Sequence, residues 1–447
     1  MAVYLAARVV PPLDGLTEFG QAVLGAMLAG AILWISEAMA LGLIALIVLV
    51  LLGSSPGMRP PEVFGGFASE VVLFLIGAAA IGAAVEKSGL ADRAARFLVR
   101  TARGSPTRLF AGMIAGLPAL ALLVPSAITR NAILIPAYRD ALDAMGVRQT
   151  DRAGRALMLA LGVLNPLASS ALLTGGITSI TAASILGGFS WWGWFALMAA
   201  PYYALLFGGA LLLRLITGRF ESGLVSSGPR EPARPYSAAE TATLAVLTLA
   251  SALWLTDWLH GLSPAIPALI GAALLLTPGI GVLSWKALEE RLSWGLILTV
   301  GTSLSLAAAM TKSGAAAWLG DRLVGPIAGL GGQPLVVVGC IVIGVATVHL
   351  AITNLAACVA LLLPMAAAIG QSVGLSPIVC GLIVTIVVDA VILYPVQTAA
   401  NLLAYESGYY DGADVRRFGL AMLGLTMAVV LAAIPYWSLL GLSLVTR

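Results

Sequence analysis

The chain has 447 residues, of which 60% are hydrophobic and 10% charged, with a mean hydropathy of +1.00 and a formal net charge of +3. A soluble domain carries about 25% charged residues, so a soluble fold is excluded, and the modest positive balance gives nucleic-acid binding no support. Apolar runs close to the roughly 20 residues that cross a bilayer recur from end to end, which excludes a single anchor and points to an all-α polytopic membrane protein.

In chain order, residues 1–18 contain charge and Pro11-Pro12 but no span, and they lack the basic, apolar and cleavage-site pattern of a removable leader. Crossings are predicted at 21–35, 38–52 and 67–85, then at 155–186 and 192–213. After a cytoplasmic linker at 218–237, further crossings are predicted at 239–255, 264–276, 294–310, 377–405 and 418–436. Two apolar segments between them behave differently. The segment 109–137 is broken near Pro125, Ser126, Thr129 and Arg130, and arginines flank it on both sides, from Arg93 to Arg108 and from Arg139 to Arg155. The preference of basic residues for the cytoplasm places both flanks inside, so the segment enters and leaves on one side as a re-entrant hairpin. The segment 336–368 is broken at Thr353-Asn354 and has weakly charged flanks, which favours the outside for both its ends. Ten crossings and two hairpins, with both termini external, put every basic stretch in the cytoplasm.

An internal repeat supports that arrangement. Lys87-Ser88-Gly89 after the third crossing matches Lys312-Ser313-Gly314 after the eighth, and Leu134-Ile135-Pro136 matches Leu362-Leu363-Pro364. Five crossings separate equivalent points, so the halves 19–217 and 238–447 are expected to be inverted relative to each other. Such inverted repeats with interrupted helices place a central site at the repeat interface of secondary transporters.

The polar groups at membrane depth are the candidate site. The first tip offers Ser126, Thr129, Arg130 and Asn131, where a buried guanidinium has the fork geometry of a carboxylate clamp. The second tip offers Thr353 and Asn354, which either bind substrate or cap a helix end, with His349 just before them. The span 155–186 is interrupted at Asn165-Pro166 and at Thr174-Gly175-Gly176-Ile177-Thr178, and its counterpart at Pro395-Val396-Gln397-Thr398, with Asn401 beyond. Thr398 and Asn401 join the substrate set. Thr174, Gly175, Gly176, Thr178, Asp389, Pro395 and Gln397 are candidates for the coupling group, ion or proton, and Asp389 is open to carrying a proton, ligating a cation or neutralising Arg130. The three cysteines, Cys340, Cys358 and Cys380, lack metal-ligand spacing and read as buried free thiols.

The stretches Ile32-Leu33-Trp34-Ile35-Ser36-Glu37-Ala38 and Tyr394-Pro395-Val396-Gln397-Thr398-Ala399-Ala400-Asn401, the two Lys-Ser-Gly turns, both tips and Ser407-Gly408-Tyr409 together resemble the divalent anion/sodium symporter family, within the wider ion transporter superfamily. The resemblance covers nearly the whole chain from about Pro11. It implies a homodimeric, elevator-type transporter of small organic or inorganic anions, di- or tricarboxylates above all, in the inner (plasma) membrane among its lipids. It implies no cofactor other than sodium ions, one of them near Thr353, Asn354 and Gln397. Ser126-Ala127-Ile128 stands where the family carries Ser-Asn-Thr, so two oxygen-bearing side chains are missing there. Coupling is left among sodium, protons and a counter-anion. The alternatives are a cation/proton antiporter using Asp389, and a channel or static scaffold. An enzyme is not expected, since neither paired carboxylates nor a nucleophile–base pair stands out.

Overall fold

The computed structural model describes residues 2–445 apart from 37, 125, 188, 219, 221–234, 280, 325–332, 353 and 354. In the first half lie α1 (Ala2–Val9), α2 (Glu18–Ser36), α3 (Leu41–Gly53), the single turn α4 (Pro60–Val63), α5 (Glu70–Ser88) and α6 (Leu90–Thr101). They are followed by α7 (Pro106–Leu123), α8 (Ala127–Ala144), α9 (Arg152–Ser170), α10 (Ile177–Leu186) and α11 (Trp191–Thr217). The second half opens with α12 (Ala238–Leu255), α13 (Asp257–His260), α14 (Ala265–Leu276), α15 (Trp285–Arg291), α16 (Trp294–Lys312) and α17 (Ala315–Val324). It ends with α18 (Pro334–His349), α19 (Leu355–Ser372), α20 (Pro377–Ala390), α21 (Ala399–Tyr405) and α22 (Gly412–Leu439). The fold is all-helical among the described residues, and seven helices are long and apolar enough to cross a membrane: α5, α7, α11, α12, α16, α19 and α22.

Each predicted crossing falls on one helix or on a broken pair, with α9 and α10 in the first half and α20 and α21 in the second. Each apolar segment with a polar tip resolves into two helices, α7 with α8 and α18 with α19. Two readings change. Asn165-Pro166 does not interrupt its span, since α9 runs through it to Ser170. Pro166 cannot donate to Gly162 O, four residues before it, but a neighbouring helix adds a bond in the same turn, the amide of Asn131 donating to Leu161 O. Cys340 is exposed, whereas Cys358 and Cys380 are buried as free thiols. In a membrane chain, apolar neighbours mark an outward-facing position as readily as a buried one. Residues 2–9 form a helix, α1, held to α2 by the buried side chain of Gln21, which donates to Ala7 O and Val10 O and accepts from Leu13 N.

The halves make reciprocal contacts. α5 packs on α14 and α15, while its counterpart α16 packs on α3 and α4. α6 touches α12, and α17 touches α2. Ion pairs repeat this relation with the signs exchanged: Glu86 at the end of α5 pairs with Arg291 on α15, and Lys312 at the end of α16 pairs with Glu62 on α4 at 2.7 Å. The Lys312 ammonium, helped by the Arg59 guanidinium, holds the exposed Glu62 carboxyl down to about 2. Gly89 and Gly314, with φ of 81° and 74°, make the sharp turns that separate α5 from α6 and α16 from α17. Both sit in the left-handed region that glycine adopts without strain.

The α5–α14 contact depends on a bare backbone. A Cβ on Gly77 would lie 2.7 Å from the carbonyl carbon of Ala268. Gly77→Val is therefore expected to push α5 off α14 and to destabilise the protein by about 1–3 kcal/mol, read as a lower thermal midpoint in detergent. Gly82→Ala, on the same helix and with no atom within 4 Å of its new Cβ, should leave that midpoint unchanged or slightly raised.

Candidate functional site

Val124 closes α7 and Ser126 caps α8, its hydroxyl accepting from Thr129 N at 3.2 Å. Ser126 is exposed and Thr129 half-buried, but the next turn of α8 plunges inward, with Arg130 1% and Asn131 0% exposed. Arg130 is held by neutral oxygens: Nε donates to Asn165 Oδ1 at 2.7 Å, Nη1 to Val124 O at 2.6 Å and Nη2 to Asn165 O at 3.0 Å. Asn165 returns its amide to Ala127 O and to Asn131 Oδ1, at 3.1 and 2.7 Å. Asn131 in turn donates to Leu161 O on α9 and to Ala400 O on α21, at 3.0 and 2.9 Å. One amide thus joins the tip of the first helical pair to the broken helix of its own half and to that of the other half.

The two breaks are closed by side chains. In the first, between Ser170 and Ile177, the carbonyl of Ser170 accepts from Ser179 Oγ at 2.9 Å and from Trp194 Nε1 at 3.2 Å, and Thr174 Oγ1 accepts from Trp191 Nε1 at 3.1 Å. Gly175 and Gly176 let the chain fold back on itself, since a Cβ on Gly175 would meet Ser169 O at 2.1 Å and one on Gly176 would meet Ser170 Oγ at 2.9 Å. In the second, between Ala390 and Ala399, Gln397 accepts from Leu393 N at 2.7 Å and donates to Val391 O at 3.1 Å and to His349 O at 3.4 Å. Asn401 donates to Pro395 O and Tyr394 O, at 3.0 and 3.3 Å, and accepts from Tyr410 OH at 2.8 Å. Thr398 caps α21, its hydroxyl accepting from Asn401 N at 3.2 Å. The carbonyls freed by unwinding bond buried side chains, because an unmet carbonyl at membrane depth costs several kcal/mol.

Asp389 occupies a separate position. Its Oδ2 accepts from Thr178 Oγ1 of α10 at 2.8 Å and from Tyr202 OH of α11 at 2.6 Å. Those partners lie on helices other than the ones that hold Arg130, which answers the question of neutralisation: the carboxylate is engaged elsewhere. The structure therefore gathers Arg130, Asn131, Thr398 and Asn401 around α8, α9 and α21, ties Gln397 to the second break and to His349 O at the end of α18, and gathers Asp389 with Thr178 between α20, α10 and α11. Thr353 and Asn354 lie outside the described residues. Pro395 is half-buried at the start of the turn Pro395–Gln397. Asn165, Tyr202 and Tyr410 were missing from the predicted set. Asn165 carried a signal, as an amide amid Leu and Ala beside a proline, whereas the tyrosines become relevant only through contacts more than nine residues away or across a loop. A cavity of about 320 Å³ lined by Arg152, Arg155, Arg417 and Asp414 lies apart from both groups, at the ends of α9, α11 and α22.

Residues 1–443 match the family described as the sodium:sulfate symporter transmembrane region. A protein of Cupriavidus necator described as "Membrane protein" is 26% identical over 480 aligned residues, covering 99% of this chain and 92% of the relative. The "Sodium-dependent dicarboxylate transporter SdcS" of Staphylococcus saprophyticus is 25% identical, covering 95% of this chain and 87% of its own. Among solved structures, the YdaH transporter of Alcanivorax borkumensis superposes with a TM-score of 0.59 at 16% identity, covering 93% of this chain and 99% of that one, which is a likeness of fold.

Asn131 is the junction of these contacts. Asn131→Leu keeps the bulk but removes the bonds to Leu161 O, to Ala400 O and from the Asn165 amide, at about 0.5–1.5 kcal/mol for each hydrogen bond lost. A thermal midpoint in detergent well below that of the parent is expected, and an unchanged midpoint would show that the junction is dispensable.

Proposed function

The chain belongs to the sodium:sulfate symporter transmembrane-region family, a family of transporters and not of enzymes, and from that premise we propose that it is a secondary active transporter of small anions working by alternating access. The observation that carries this reading is the bonding of Asn131 to both Leu161 O and Ala400 O, which draws a helical tip and both broken helices to one locus. The reading takes α7–α8 and α18–α19 as re-entrant hairpins of two inverted halves. They move with α9–α10 and α20–α21 against a wall of α2, α3, α12 and α14, in a homodimer of the plasma membrane with both termini outside. The dicarboxylate named for the staphylococcal relative makes di- and tricarboxylates the first substrates to try. The sodium in the family's description makes Gln397, bonded to His349 O at the end of α18, the first place to look for a coupling cation.

In this reading the anion meets the exposed first turn of α8, where Ser126 and the free backbone N–H groups point outward, and the N-terminal end of the helix dipole favours negative charge. Arg130 stands one turn behind with its donors on Val124 O and Asn165, so it contributes a fixed positive charge and a rigid tip.

The test is uptake into proteoliposomes of radiolabelled succinate, citrate and sulfate, with sodium and pH gradients imposed separately. Saturable, competable uptake of at least one is expected, and saturable uptake of none would sink the reading. Arg130→Gln should weaken that anion's affinity by about 1–2 kcal/mol, the scale of a unit charge acting over roughly 8–16 Å at an effective dielectric of about 20, with little change in sodium dependence. Unchanged affinity would leave the arginine a purely structural role.

A further inference from the structure

We propose that Asp389 is the group that carries a coupling proton through the transport cycle, an inference that rests on the transport reading above. Asp389 stands one residue before the end of α20, 3% exposed, at the inner edge of the second break. Among the described residues no ion pair includes it. A buried carboxylate without a cation is neutralised by a proton or by a bound ion, because the bare charge is far costlier to bury than the acid.

The surroundings favour a proton. The partners of Asp389 are hydroxyls, Thr178 at 2.8 Å and Tyr202 at 2.6 Å, with Ser170 at the end of α9 beside both Asp389 and Tyr202. The hydroxyl of Tyr202 also lies 3.3 Å from Thr385 O on α20. It can therefore bond in two ways. With the carboxylate, its hydrogen points at Asp389; with the acid, Asp389 donates to the tyrosine oxygen and the tyrosine hydrogen turns to Thr385 O. Either state leaves no stranded donor, so one proton can come or go on Asp389 without repacking. Thr178 stands in the first turn of α10, whose N-terminal amides further steady the carboxylate once the proton leaves. A change of solvent access on either side of α10 or α20, both of which belong to the moving unit, then alternates the side from which the proton is exchanged.

The other groups that face Asp389 leave it as the titrating centre. α11 presents Tyr202, and α19 presents the buried thiol of Cys358. α18 presents His349, directed at the backbone of Ile352 and of Val388. α9 and α10 present hydroxyls, and the buried face of α22 carries no titratable residue.

Two measurements on the full chain in liposomes test this. Infrared difference spectra across a pH titration should show a protonated-carboxyl C=O stretching band that is absent from Asp389→Asn and shifted in Tyr202→Phe. A parent band that survives unchanged in Asp389→Asn, or no band at any pH, overturns the proposal. In transport, an inward gradient of one pH unit should drive accumulation of labelled succinate or sulfate up to about tenfold for one proton per anion. In Asp389→Asn that accumulation should fall to about onefold, with counterflow still measurable. Accumulation by the pH gradient in Asp389→Asn, or no accumulation by the pH gradient in the parent, overturns the proton assignment. Parent protein without counterflow of either probe would instead refute the transport reading, and the infrared arm would still decide whether Asp389 exchanges a proton.

Discussion

Helices that stop inside a bilayer leave backbone N–H and C=O groups with no water to bond, and the whole centre of this protein is organised around meeting that demand. The Ser170 carbonyl freed at the first break is bonded by Ser179 and Trp194, and carbonyls in the second by Gln397 and Asn401. Each of these side chains does what a continuing helix would otherwise have done. A helix interrupted for function must therefore recruit amides, hydroxyls and indoles from its neighbours, and the breaks become the most polar and most interconnected parts of an apolar molecule.

Close approach is the second requirement. Lipid provides no hydrophobic force between helices, so contact area and small residues decide how they associate. Gly77 lets α5 lie on Ala268 of α14, and Gly162 lets the side-chain oxygen of Asn401 enter where a Cβ would sit 2.5 Å away. The reciprocal contacts of α5 with α14 and α16 with α3 bind the two halves through each other's wall helices. Surface ion pairs follow the same relation at the helix ends, where water is available and the pairs serve registry more than stability.

Charge at membrane depth is divided between two places. Arg130 is fixed by neutral oxygens of Val124 and Asn165, and Asp389 by the hydroxyls of Thr178 and Tyr202. Had the two been a single ion pair, each would have cancelled the other's charge. Held apart, they have different surroundings, amide and carbonyl oxygens around the cation and hydroxyls around the acid, and the proposed proton exchange at Asp389 needs hydroxyls that can turn.

The sequence alone determined the class, the apolar runs that become helices and the two broken apolar segments, because hydropathy and Pro/Gly interruptions are local signals that lipid reads one segment at a time. It also exposed the repeat, through Lys-Ser-Gly turns at equivalent places. It misjudged Asn165-Pro166 and Cys340, where a helix runs on through its proline beside Asn131 of another helix and where apolar neighbours describe an outward face. Which polar groups meet was decided only in three dimensions. Tyr202 and Asp389 are 187 residues apart, and Asn131 and Ala400 are 269 apart. Such pairs are set by how the halves interlock, and no local pattern records that packing.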